Sequence, residues 1–97
     1  MTNIHQTELQ EALIKALSEF ILIVNDVNEN TNVAEDRPIY QIFLATAAII
    51  SALIINGKPL TKEIDLMEHN IGQTWIKDQN SYNKITISWR LFTDLLK

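Results

Sequence analysis

The residues able to do chemistry are few, and their spacing decides what they can be. Asp65 and His69 stand four apart with Glu68 between them, so a helix would place two ligands on one face. A metal centre needs three or four converging ligands with partners behind them. The only other histidine is His5. The spacing therefore reads as a surface carboxylate–imidazole pair, and no metal and no cofactor are expected. Glu35 and Asp36 are adjacent carboxylates, but acid–base work needs surroundings that drive two pKa values apart. At a helix start, capping and the dipole already account for both acids. Ser18, Ser51, Ser81 and Ser88 lack the glycines of a nucleophile elbow and have no histidine near them in sequence. With no cysteine and 2 glycines, thiolate chemistry, disulfides and phosphate-cradling loops are excluded. No catalytic residue is assigned, and the chain is read as a protein that is not an enzyme.

Charge offers more. Twelve acids against eight bases leave a net charge of −4, which argues against direct binding of nucleic acid. Lys84 and Arg90 near Tyr82 and Trp89 come closest to a basic–aromatic cluster, yet both aromatics fall on a core stripe. The charge is uneven. Residues 1–36 hold Glu8, Glu11, Glu19, Asp26, Glu29, Glu35 and Asp36 against one base, Lys15, while the remainder is mildly basic. Clustered acid steers association with basic partners. Spaced carboxylates can also imitate duplex phosphates, which present about one charge per 1.7 Å of axis. Asp26, Glu29, Glu35 and Asp36, extended by Glu8, Glu11 and Glu19, are the candidate partner-binding residues. The expected function is a non-enzymatic inhibitor that occupies a basic nucleic-acid-binding surface of its target.

These residues must be positioned by helices. Thr7-Glu8-Leu9-Gln10 fits a capping box, and Leu9, Leu13, Ala16, Leu17, Phe20 and Val24 follow at helical spacing. Residues 25–36 carry four Asn and four acids, types that favour turns, so a long exposed loop is expected there. Asp36 and Pro38 open a second helix. From Ile39 to Ile55 only Gln41, Thr46 and Ser51 are clearly polar. That run sits at the lower limit for a membrane span and lacks aromatic or basic belts at both ends. It is read as a central helix buried on most sides, with a homodimer seam as the other way to cover it. Asn56-Gly57 stops it. Thr61 caps a third helix bearing Ile64, Met67, Ile71 and Trp75, weakened at Gly72, and Asp78 to Ser81 reads as a turn.

Two readings compete at the end. Tyr82, Ile85, Trp89, Phe92 and Leu96 make a helical stripe, whereas Ile85 to Leu91 alternates like a strand. The helix is preferred because Leu95 and Leu96 continue the helical period. The expected fold is all-α, one domain over 1–97, a small antiparallel bundle of three to four helices. The alternative is α+β with a β-hairpin at about 73–91. Glu8 and Glu11 with no basic segment before them argue against a signal peptide, so a cytoplasmic protein with no membrane partner is expected.

Two resemblances add to this. In size, acidity and lack of a catalytic motif, the chain resembles the small anti-CRISPR proteins, including inhibitors of type I-F surveillance complexes. Some of those imitate DNA and block the target-binding groove. The likeness is one of type and rests on no shared motif. The second is local. The stretch from Ile49 through Gly57, Pro59, Leu60 and Lys62, followed by Tyr82, Leu91 and Phe92, is similar to the helix–Gly-x-Pro-Leu–helix core of enterobacterial biofilm and acid-resistance connector proteins. The spacing after Lys62 is one residue short, and residues 1–36 do not match. That resemblance implies a small helical dimeric regulator acting by protein–protein interaction. A surveillance complex with a basic surface is the partner implied by the first.

Overall fold

A computed structural model of the chain describes residues 4–73 and 76–97, the side chains of 4–7 excepted. Its elements are α1 (Ile4–Asn30), a 3₁₀ turn (Ala34–Asp36), α2 (Arg37–Ile55), α3 (Thr61–Gln73) and α4 (Gln79–Asp94). No strand occurs among the described residues. Gln79–Asp94 is helical, so the hairpin alternative is set aside, although Thr74 and Trp75 lie outside the described residues.

The first helix is longer at both ends than its sequence signals suggest. It begins at Ile4, so Thr7 lies inside it rather than at its cap. It continues through Asp26 and Glu29 to Asn30, where a loop is expected from the Asn and Asp content. Two interactions override that local preference. Val27 continues the apolar stripe of Phe20 and Val24 and is buried against the core. Asn30 then donates its side-chain amide to the Asp26 carbonyl at 2.9 Å and to the Asp26 carboxylate at 2.8 Å, one turn back. The polar side chains that usually draw the backbone into turns here bond along the helix. The loop shrinks to Thr31, Asn32 and Val33.

α2 runs back antiparallel to α1. The Gln10 amide near the start of α1 donates to the Ile54 carbonyl near the end of α2 at 3.0 Å. Gly57 takes φ +64°, and Lys58 donates its backbone N–H to Leu53 O at 2.9 Å, closing the helix with a left-handed cap. α4 also runs antiparallel to α1, so Asp26 and Asn30 meet Ser81 and Lys84 at one end. Asp78 caps α4: its carboxylate accepts from the Ser81 N–H at 3.3 Å and the Ser81 hydroxyl at 2.8 Å. The segment expected as a turn is therefore the first turn of a helix. These bonds hold the Asp78 carboxyl below the usual carboxylate range, the Ser81 hydroxyl contributing most.

α1 is the spine, with α2 and α4 packed along it and α3 against α2. Leu13, Leu17, Phe20 and Val24 meet Tyr40, Phe43, Ala47 and Ile50 from α2, and Ile85, Trp89 and Phe92 from α4. Trp89 stands 5.3 Å from Phe20 and 5.2 Å from Phe92, centroid to centroid. Such aromatic pairs add about 0.5–1.5 kcal/mol beyond burial. Met67 and Ile71 seal the core from α3, and Gly72 does not break that helix. Leu96 lies past the end of α4 and is exposed, as is Leu9. The molecule measures 49 × 21 × 20 Å.

α2 departs most from expectation. It is long and apolar enough to cross a membrane by length and composition, yet only a third of that stretch is buried. Its inner face packs on α1 and α3. Its outer face, Ile42, Ala45, Ala48, Ile49, Ala52 and Ile55, is exposed, with Ile49 at 53% and Ile55 at 66%. No element among the described residues lies over it.

Candidate functional site

The acids expected to bind a partner separate into three groups. Glu8, Glu11, Glu19, Asp26 and Glu29 are all exposed on α1. At 100° per residue they fall within about 80° of arc, opposite Leu17 and Val24. From Glu8 to Glu29 the row extends roughly 31 Å at 1.5 Å per residue. Lys15 is the single base within it, four residues from both Glu11 and Glu19. The loop reading of Asp26 and Glu29 is corrected by the helix, which aligns them with acids far back in sequence.

Glu35 stands apart from this row. It is exposed and ion-paired with Lys77, and its carboxylate holds the Lys77 ammonium above the ordinary lysine value. Its charge is thus partly spent within the molecule. Asp36 is different again and corrects the expectation placed on it. It is 1% exposed. Its carboxylate accepts the backbone N–H of Lys77 at 3.2 and 3.1 Å and that of Asp78 at 3.3 Å. A buried carboxylate needs such donors. Asp36 is an internal tie between the start of α2 and the start of α4, out of reach of a partner. Burial, with Asp36 and Asp78 close by, pushes the Tyr40 hydroxyl up to about 12. The Tyr40 oxygen is buried beside the Asp36 carboxylate and Ser81.

The remaining candidates disperse. Asp65 and His69 are exposed, Glu68 accepts from the Trp89 indole N–H at 3.4 Å, and the described residues contain no group of three or more metal-ligating side chains. Ser88 is buried and donates to Ile85 O at 2.9 Å, a helix-internal bond. Tyr82 donates to Ile71 O at 3.3 Å and Trp89 sits in the core, so the basic–aromatic cluster presents no stacking platform.

Two surfaces escaped the charge-based reading. One is the outer face of α2. The other is a groove of about 380 Å³ between α1 and α4, floored by Ala12, Ala16 and Ser88, walled by Ile23, Leu91 and Leu95, with Lys15 and Glu19 at its lip. Leu91 is 63% exposed. The signal was the small pair Ala12 and Ala16, one turn apart on the core-adjacent side of α1. Small residues leave a furrow wherever large ones flank it. No protein-family model, no curated protein and no solved structure matches this chain.

Proposed function

We propose that the chain is a non-enzymatic, protein-binding inhibitor that presents the acidic row of α1 to a basic, nucleic-acid-handling surface. The observation that carries this reading is the alignment of Glu8, Glu11, Glu19, Asp26 and Glu29 on one exposed helix face. Aligned acids, interrupted once by Lys15, direct a negative field to one side of the molecule, which steers a basic partner toward it. The range of that field is comparable to the Debye length of about 8 Å at physiological ionic strength. Such a protein works in the same compartment as its target, which for nucleic-acid machinery is the cytoplasm of a bacterial host.

The test uses a type I-F surveillance complex as target and its DNA duplex as competitor. Substituting Glu8, Glu11, Asp26 and Glu29 by Lys is expected to abolish competition, and binding of the unmodified protein is expected to weaken steeply with salt. Asp36 is left out of the set because its replacement would break the fold. Salt-insensitive binding, or competition unchanged by the four reversals, would overturn the reading.

A second reading is favoured by the exposed face of α2. A small helical regulator that dimerises there would cover Ile42, Ile49 and Ile55, with Ala45, Ala48 and Ala52 allowing two helices to approach closely. Exposed apolar side chains that form a contiguous face mark interaction sites more often than scattered ones do. Oligomeric state is the measurement that decides it.

A further inference from the structure

We propose that the outer face of α2 is the seam of a two-fold dimer in which the helices of two copies run antiparallel, cross at Ala48 and Ile49, and pair Gln41 of each copy with Asn56 of the other. This rests on the second reading above and specifies its partner, direction and register. The face reads alike in both directions. Counted outward from the point between Ala48 and Ile49, Ala45 matches Ala52, Ile42 matches Ile55 and Gln41 matches Asn56. All of these residues are exposed. At 100° per residue the midline of the pattern lies opposite Phe43, Ala47, Ile50 and Ile54, which α2 buries. The pattern is therefore centred on the part of the helix that points away from the bundle.

An antiparallel two-fold axis brings each residue level with its match on the other copy. Ala45 then faces Ala52 near the midline, where small side chains let the helix axes approach to about 8 Å. Ile42 and Ile55 stand about 70° to either side of the midline, so each fills the flank that its match leaves open. Gln41 and Asn56 stand about 30° from it. Asn56 donates one N–H to the Ala52 carbonyl at 2.8 Å, and its side-chain oxygen can accept from the Gln41 amide. A polar pair at each end of an apolar seam fixes register, because a shift would set an amide against Ala or Ile. Opposed helix dipoles favour this direction over a parallel pair.

Other occupants match the face less well. A helix that lies on lipid presents large apolar side chains along the middle of its face, and here the middle is alanine. A charged partner element finds no counter-charge, because no charged residue lies between Arg37 and Lys58. One helix pair of this length reaches at most the lower end of the roughly 1,200–2,000 Å² buried by stable complexes, so association in the micromolar range is expected. Each copy carries a net charge of −4, and the pairing brings Arg37 of one copy level with Lys58 of the other. Salt should therefore tighten the dimer.

The chain has no cysteine, so introduced cysteines report the seam directly. Ala45→Cys and Ala52→Cys are made separately, one with a mass tag, and oxidised alone and mixed. In the proposed register residue 45 meets residue 52, whereas two copies of residue 45 lie roughly 10 Å apart along the axis, beyond disulfide reach. The mixture is expected to give at least about tenfold more cross-linked dimer than either variant alone. Gln41→Ala should raise the dissociation constant about tenfold in sedimentation equilibrium, since two amide pairs are lost. Raising salt from about 0.05 to 0.5 M should lower that constant, opposite to binding through the acidic row of α1. Circular dichroism checks that the variants stay helical.

A dimer in which each cysteine variant cross-links with itself and mixing adds nothing overturns the proposal and leaves the second reading standing. So does a dimer whose affinity ignores Gln41→Ala. A monomer at high micromolar concentration removes both, as does a monomer that floats with phosphatidylcholine–phosphatidylglycerol vesicles. Neither result touches the acidic-row reading, which is tested on the surveillance complex.

Discussion

At the scale of single residues, Asp36 carries the clearest consequence. Its buried carboxylate accepts from both the Lys77 and Asp78 amides, which have no other acceptor among the described residues. Hydrogen bonds to a charged group contribute about 1.5–3 kcal/mol, and an unsatisfied buried donor costs a further share. Asp36→Ala is expected to lower unfolding free energy by about 3 kcal/mol, read as a shift of the urea midpoint. Target binding by the fraction that remains folded should be unaffected. A variant of full stability would contradict the assignment of Asp36 as a tie. Glu35, one residue earlier, faces solvent and pairs with Lys77. Sequence reasoning treated the two as equivalent because both are acids at a helix start. Which of them turns inward is set by the 3₁₀ turn, a backbone detail without a compositional signature.

At the scale of elements, punctuation was readable and extent was not. Gly57 ended α2 and Pro38 opened it, because a left-handed cap and a fixed φ are properties of those residues alone. The end of α1 was obscured because four Asn between residues 25 and 32 disfavour helix locally, while the burial of Val27 and the Asn30 bonds to Asp26 reward it. The same tension appears in α3. Gly72 is helical, with open space where a Cβ would stand and no positive φ to preserve. Gly72→Ala is therefore expected to stabilise the protein by about 0.5–1 kcal/mol, measurable as a rise in thermal midpoint. Destabilisation would mean that some contact of this turn depends on the missing side chain. The acidic row was half legible: each residue was visible in the sequence, but their alignment required Asp26 and Glu29 to be helical.

At the scale of the whole molecule, the bundle has more apolar surface than it can bury. α2 and α4 pack along α1, α3 packs on α2, and the outer face of α2 stays bare. Sequence periodicity could not reveal this, since a helix that is apolar all round has no face marked for solvent. If the second reading holds, Ala48→Glu is expected to turn a dimer into a monomer by light scattering, without loss of helix. An unmodified protein that is monomeric at high micromolar concentration would rule it out. The dimensions of the molecule bear on how that mass must be taken. A rod 49 Å long and about 20 Å across meets more drag than a sphere of equal mass. It will elute early from a sizing column and tumble slowly about its short axes. A single copy can thus migrate like a larger assembly, and relaxation rates should differ between amides lying along α1 and amides lying across it.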